Sequence, residues 1–124
     1  MNLGARKFVL SVGYNGDLGF SDCVRDRLRR EGYESESVDI EAVNLGRVHI
    51  PLYDSAVIFF PPLNQSAAVR TIDIMQKANV GKPIVGISTG AISSRLDSGL
   101  ARYLSMDEPG DTVDLVVNEI RELT

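Results

Sequence analysis

The stretch that decides the fold is Asp54-Ser55-Ala56-Val57-Ile58-Phe59-Phe60-Pro61-Pro62. Its apolar run from Ser55 to Phe60 has the length and the β-branched and aromatic content of a buried central strand. In a parallel α/β sheet, the carboxyl end of such a strand is where catalytic and binding groups stand. Many small domains of this layout have an acidic residue there, whereas this chain has two phenylalanines and two prolines. The stretch therefore predicts an architecture and argues against an acid-dependent activity.

Strands and helices alternate on both sides of this central strand. Predicted strands cover residues 7–12, 33–40, 55–60, 84–88 and 103–104. Helical segments are predicted from apolar positions at helical spacing, most of them behind residues that can cap a helix. They begin at Ser21 or Asp22, at Asn64 or Ser66, at Ile92, and at Asp111 or Thr112. The alternation predicts an α/β fold, a flavodoxin-like three-layer sandwich with a five-stranded parallel sheet.

The bulk properties indicate a single domain over residues 1–124. Its 44% hydrophobic content is enough for a core, and its formal charge of −4 argues against a nucleic-acid-binding surface, which is usually basic. Cys23 is the only cysteine, so no intrachain disulfide can form and a reducing compartment is expected. No apolar run approaches the ~18 residues of a membrane span, so a cytoplasmic location without membrane contact is predicted.

The first candidate ligand site is the glycine-rich segment that follows the first strand. Gly13, Asn15, Gly16 and Gly19 can let backbone amides approach a phosphate at the start of a helix. The spacing is G-x-x-G-x-x-G rather than the dinucleotide pattern, and Asp17 adds a negative charge. A structural turn is the alternative interpretation, and we favour it.

The second candidate is the segment Gly86-Ile87-Ser88-Thr89-Gly90-Ala91, which contains G-x-S-x-G. A serine nucleophile needs a general base, and the only histidine, His49, lies upstream of Ser88 rather than downstream. We therefore predict no catalytic residue. Gly86 is expected to make room under a helix, and Ser88 and Thr89 to cap the next turn. Ser88, Thr89 and Gly90 remain candidate contacts for a phosphate-bearing ligand.

The remaining residues suggest contact rather than cofactor chemistry. One histidine, one cysteine and scattered carboxylates have no metal-ligand spacing, so neither a metal nor a cofactor is predicted. Phe60, Pro61 and Pro62 form a stiff apolar strand exit, because proline fixes the backbone. We expect this exit to leave apolar surface for a partner protein at the edge of the sheet, or to belong to the core.

Two segments resemble response-regulator receiver domains. Residues 7–37, and in particular 24–33, look like the family's first strand and helix, and residues 98–104 with 111–123 look like its fifth strand and last helix. The resemblance implies a signalling module that contacts a protein partner, or a second copy, through the last helix and the strand near Tyr103. The hydroxyl switch of the family falls at Ser88 or Thr89.

The charged residues of the receiver family do not carry over. Its acidic pair falls at Gly13-Tyr14-Asn15, its phospho-accepting aspartate near Phe59-Phe60-Pro61, and its lysine near Ser105-Met106. The resemblance therefore implies a pseudo-receiver, a phosphorylation-independent interaction module rather than an enzyme.

A weaker resemblance gives an alternative. Residues 54–58 and 81–91 are similar to the class I glutamine amidotransferase-like fold, with Ser88 at the place of the cysteine of that family. The family's glycine pair is replaced by Pro61-Pro62, and its later histidine is absent. The alternative functions are a degenerate enzyme of this type, or a domain that binds a nucleotide or another phosphate-bearing, anionic small molecule through the strand-end loops.

Overall fold

The computed structural model describes residues 6–14, 18–61, 65–106 and 112–123, and strands alternate with helices throughout them. The strands are β1 (Phe8–Gly13), β2 (Glu34–Asp39), β3 (Ser55–Phe59), β4 (Ile84–Ser88) and β5 (Arg102–Ser105). The helices are α1 (Leu18–Arg30), α2 (Ile40–Asn44), α3 (Gln65–Ala78), α4 (Ser94–Ser98) and α5 (Thr112–Leu123). None of the described helices is both long and apolar enough to span a membrane.

The strands form one sheet in the order β2-β1-β3-β4-β5, and every neighbouring pair is parallel. This is the predicted five-stranded, flavodoxin-like arrangement. The stretch that decided the fold lies where it was expected, because β3 is the middle strand and all its residues are buried. In this arrangement β1, β3, β4 and β5 end at the same edge of the sheet, which we call the carboxyl edge.

Two clusters of buried side chains cover the two faces of the sheet. On one face, Leu10 and Ile58 pack with Ile72 of α3 and Leu96 of α4. On the other face, the strand residues that alternate with them pack against helices α1 and α5. The members of this second cluster are Val9, Val57, Phe59, Val85, Ile87, Val24, Leu28, Val116, Val117 and Ile120. Strict alternation in the strands therefore produces the three layers.

Two helix starts differ from the prediction, because α1 begins before Ser21 and α4 begins at Ser94 rather than at Ile92, whereas α5 begins at Thr112 as predicted. α1 begins at Leu18, and Ser21 lies buried inside it, with its carbonyl accepting a hydrogen bond from the Ser11 hydroxyl at 3.0 Å. Ser66 likewise lies inside α3. Asn64 and Asp111 are outside the described residues. Residues suited to capping also occur within helices, as Ser21 does, so the composition alone placed the start of α1 too late.

Side-chain hydrogen bonds hold the segment between β2 and β3, for which the sequence predicted neither a helix nor a strand. The Asp39 carboxylate accepts a hydrogen bond from the Ala42 amide at 3.3 Å and caps α2. Further on, Asn79 at the end of α3 accepts from the Tyr53 amide and donates to the Pro51 carbonyl, both at 3.1 Å. These bonds fix the segment that leads into β3, and the approach to the middle strand is therefore set by α3.

Tyr53 is expected to make the free energy of unfolding depend on pH in the alkaline range. It is 3% exposed, its hydroxyl donates to the Met75 carbonyl at 3.2 Å, and burial raises its pKa from 10.0 to about 12. Above about pH 10 the unfolded chain loses this proton while the folded chain keeps it, so stability falls as the pH rises through the folded pKa. We expect Tyr53 to account for a loss of about 2 kcal/mol between about pH 9 and pH 11.5 in urea denaturation.

The matched variant Tyr53→Phe isolates this contribution. It lacks the titrating hydroxyl, and every other alkaline titration is shared with the parent protein. The difference in stability between the two proteins should therefore shrink by about 2 kcal/mol over that pH interval. If the free energies of unfolding of the two proteins differed by the same amount at every pH, the prediction would be contradicted.

Candidate functional site at the carboxyl edge of the sheet

The carboxyl edge brings together part of the predicted ligand and contact residues. Parallel pairing places Phe59 beside Ile87, and Ser88 beside Ser105. Gly13 ends β1, and Ser88, Thr89 and Gly90 form the end of β4 and its exit. Asn15, Gly16 and Pro62 lie outside the described residues. Gly19 lies within α1 rather than in a turn.

Phe60 belongs to the core and not to exposed apolar surface, which is the second of the two expectations stated for this exit. Its amide donates to the Ile87 carbonyl at 3.1 Å, so strand geometry continues one residue beyond Phe59. The side chain therefore points to the same face as Ile58, and it is 1% exposed within the first core cluster. Phe59 is 7% exposed, and Pro61 is half-buried.

Ser88 holds two strand ends together. It is 1% exposed, and its hydroxyl donates to the Phe60 carbonyl at 2.7 Å. No non-glycine residue among those described has a positive φ, and α4 begins only at Ser94, so the strained strand-to-helix turn of a nucleophile elbow is missing from this part of the chain. The predicted capping role is also wrong, because Ser93 caps α4 by accepting from the Leu96 amide at 3.2 Å.

Gly86 makes room for a side chain from the loop before β5. A Cβ at this position would lie 2.4 Å from Leu100 Cδ1. Gly86 does relieve packing, as predicted, but the side chain that it accommodates belongs to the loop between α4 and β5 and not to a helix. The close approach seats Leu100 over the middle of β4.

Tyr103 fastens the exit of β4 to β5. Its hydroxyl donates to the Gly90 carbonyl at 2.6 Å, and its ring packs on the first core cluster. Gly90 has a φ of 74°, which a residue without a Cβ adopts at little cost. The side chain is half-buried. Tyr103, predicted as a contact residue, thus connects the carboxyl edge to the fifth strand.

Charges are few at the described part of this edge. β1 ends in Gly13-Tyr14, and β5 ends in Ser105-Met106. Asp39 ends β2 beside Gly13, and one of its carboxylate oxygens accepts from the Ala42 amide. Across residues 6–14, 18–61, 65–106 and 112–123, there is no group of three or more histidine, cysteine or acidic side chains placed to hold a metal ion.

Gln65 is a site residue that the sequence analysis missed. Its amide group donates to the Ala91 carbonyl at 3.1 Å and accepts from the Ser93 amide at 2.8 Å. The first turn of α3 is thereby joined to the loop between β4 and α4. The contact joins residues 26 and 28 positions apart, so no local sequence pattern signals it.

Comparison with known proteins identifies the fold. No protein-family model matches the sequence, and neither does any curated protein. The receiver domain of a CheY-like protein from Methanospirillum hungatei superposes with a TM-score of 0.68 at 19% identity, over 96% of this chain and 94% of that one. A CheY-like receiver domain from Methylobacillus flagellatus gives a TM-score of 0.67 at 11% identity, over 97% of this chain and 100% of that one.

A larger protein contains the same fold. The Vibrio vulnificus NanR protein, solved in complex with ManNAc-6P, gives a TM-score of 0.61 at 16% identity over 94% of this chain. This chain spans 49% of the NanR chain, about half its length. Likeness at such identities concerns the fold alone. The predicted receiver-like, flavodoxin-like α/β fold is confirmed.

Proposed function

We propose that this chain is a signalling module of receiver-like fold that works without phosphorylation, by contacting a partner protein or a second copy of itself. The observation that carries the proposal is the end of β3, where a buried aromatic ring, Phe60, and Pro61 stand. A phosphoryl acceptor at that place requires an exposed carboxylate, and Mg²⁺ requires hard oxygen ligands beside it. Gly13-Tyr14 and Ser105-Met106 supply no side-chain carboxylate or amine at the neighbouring strand ends.

The contact surface that we propose consists of β5 and the outer side of α5. β5 is an edge strand of the described sheet, and exposed edge strands offer backbone groups to a partner. Ion pairs fix α5 on both sides, from Arg102 to Glu119 at 3.5 Å and from Arg121 to Glu31 at 3.3 Å. A preformed surface loses less entropy on binding. A photo-reactive side chain in place of the exposed Asn118 would report the contact by crosslinking.

The phosphorylation half of the proposal is tested with a small phosphodonor. We expect acetyl phosphate with Mg²⁺ to leave the intact mass of the protein unchanged, because the described residues at the ends of β1, β3, β4 and β5 include no acceptor carboxylate. Mass spectrometry under neutral, cold conditions preserves an acyl phosphate and provides the measurement. A receiver domain that retains its aspartate serves as the positive control. A stoichiometric phosphoryl adduct that hydroxylamine removes would overturn the proposal.

A ligand-binding domain is the second candidate. The NanR protein was solved in complex with ManNAc-6P, which favours a phosphate-bearing ligand at the carboxyl edge. Of the candidate contacts there, Thr89 is half-buried and Gly90 is exposed, so both can be reached from solvent. The Ser88 hydroxyl is already bonded to the Phe60 carbonyl, which weighs against both a ligand contact and an amidotransferase-like nucleophile. We therefore place this function second.

A further inference from the structure

A cavity lies between α3 and the start of α4, away from the β5 and α5 surface. We call it the α3–α4 pocket, and its volume is about 570 Å³. Ligand sites for small molecules fall in the range of about 300–1,000 Å³. The lining residues are Gln65, Ser66, Val69, Arg70, Asp73, Ser93 and Arg95. The pocket is thus large enough for a molecule with both a charged group and an organic part.

The pocket concentrates positive charge in a protein whose formal net charge is −4. Arg70 is exposed and forms no ion pair with any residue that the structure describes. Arg95 approaches only the Asp73 carboxylate, at 3.9 Å, and its side chain is 77% exposed. Some arginines elsewhere are paired more closely, as Arg27 is with Asp114 at 2.7 Å. Two guanidinium groups and one carboxylate therefore face the same cavity, with one positive charge in excess.

The chemistry of the lining specifies the ligand class. Guanidinium groups bind phosphate oxygens through paired N–H donors, and two of them match the double charge of a phosphate monoester. The Asp73 carboxylate can accept a hydrogen bond, and the exposed Ser66 hydroxyl can donate or accept one. Groups of this kind recognise hydroxyls. Val69 adds an apolar part to the wall.

One wall of the pocket is built in advance. Gln65 bonds to the Ala91 carbonyl and to the Ser93 amide, and Ser93 accepts from the Leu96 amide. The loop that leads into α4, the helix that carries Arg95, is therefore fixed to the first turn of α3 before any ligand arrives. Preorganisation of this kind reduces the entropic cost of binding.

We propose that the α3–α4 pocket binds a small phosphate monoester that carries hydroxyl groups. Arg70 and Arg95 contact the phosphate, and Asp73 and Ser66 contact the hydroxyls. The pocket borders the loop after β4 through Ser93 but is not lined by Gly13, Thr89 or Gly90, and it does not depend on how the module meets its partner.

The test is a titration of the ¹⁵N-labelled full chain followed by amide chemical shifts. The probes are glucose 6-phosphate, glycerol 3-phosphate and adenosine monophosphate, and uncharged glucose is the control. We expect at least one phosphate ester to produce saturable shifts at Ser66, Val69, Asp73 and Ser93 below about 10 mM, and glucose to produce none. Absence of saturable shifts with all three esters would overturn the proposal. Shifts confined to Gly13, Thr89 and Gly90 would overturn it too, and would favour the strand-end loops instead.

Substitutions of the two arginines identify the phosphate contacts. Arg70→Gln and Arg95→Gln should each weaken binding of the active ester by about tenfold, the effect of one charge-assisted contact. Arg30→Gln is the matched control, since Arg30 is also exposed and lies at the end of α1, outside the pocket. Equal affinity in the parent protein and both pocket variants would contradict the assignment. Thermal unfolding of each variant, compared with the parent, verifies that the fold is intact.

Discussion

Phe60→Ala is expected to destabilise the protein by about 3–5 kcal/mol, the usual cost of removing a fully buried phenylalanine. The ring is 1% exposed and belongs to the core cluster that includes Ile58, Met75 and Leu96. Its removal loses the transfer free energy of the ring and leaves a cavity between β3 and α3. Since domains of this size are stable by about 5–15 kcal/mol, the variant should lose a large part of its total stability.

Urea denaturation followed by circular dichroism measures this effect, with the slope of the transition checked for constancy. Leu52→Ala is the matched control, because Leu52 is 82% exposed and its truncation should change stability by about 0.5 kcal/mol or less. A Phe60→Ala protein that unfolds at nearly the parent urea concentration would contradict the buried position of the ring. It would restore Phe60 as a residue of an exposed contact surface.

The inner strands β1, β3 and β4 were predictable because they are short apolar runs with strong end signals, whereas β2 was predicted from its alternation of polar and apolar residues. β3 and β4 are buried along their whole length, so their sequences contain no polar interruption to confuse the assignment. The order of the strands followed from the handedness of the crossovers. β5 was found from Tyr103 and Leu104 alone, although it covers Arg102–Ser105 with an exposed arginine at its start.

Boundaries and side-chain roles were less predictable, since they depend on partners distant in sequence. Phe60 appeared to be a strand exit, but its amide still bonds to β4, and this one bond turns the ring into the core. Ser88 looked like a capping residue, yet its hydroxyl bonds to a carbonyl 28 positions away. No pattern within a short window specifies such pairings.

One part of the candidate site could be predicted from the sequence, and another part could not. The lack of an acceptor at the end of β3 follows directly from the sequence, because Phe60 and Pro61 have no carboxylate. The α3–α4 pocket was invisible to the sequence analysis. Arg70 and Arg95 share it only because Gln65 ties the loop before α4 to the first turn of α3.

The second large effect is expected at Asn79, which is 6% exposed and serves the segment before β3. Asn79→Ala removes the acceptor for the Tyr53 amide and the donor for the Pro51 carbonyl. A buried amide left without a partner costs about 1–3 kcal/mol, and the lost bond to the carbonyl adds to it. We therefore expect a loss of about 2–4 kcal/mol in urea denaturation. Asn118→Ala, a substitution on the exposed side of α5, is the control and should change stability by about 0.5 kcal/mol or less.

Asn79→Asp separates the two hydrogen bonds. The carboxylate still accepts from the Tyr53 amide, but it cannot donate to the Pro51 carbonyl and instead faces that oxygen with a negative charge. Protonation supplies the missing donor, so the introduced carboxyl should have a raised pKa in the folded protein, and the loss of stability should diminish as the pH is lowered. If Asn79→Asp and Asn79→Ala were equally unstable at every pH, the donor bond to Pro51 would contribute nothing. If Asn79→Ala were as stable as the parent, the segment before β3 would not need α3 to hold it.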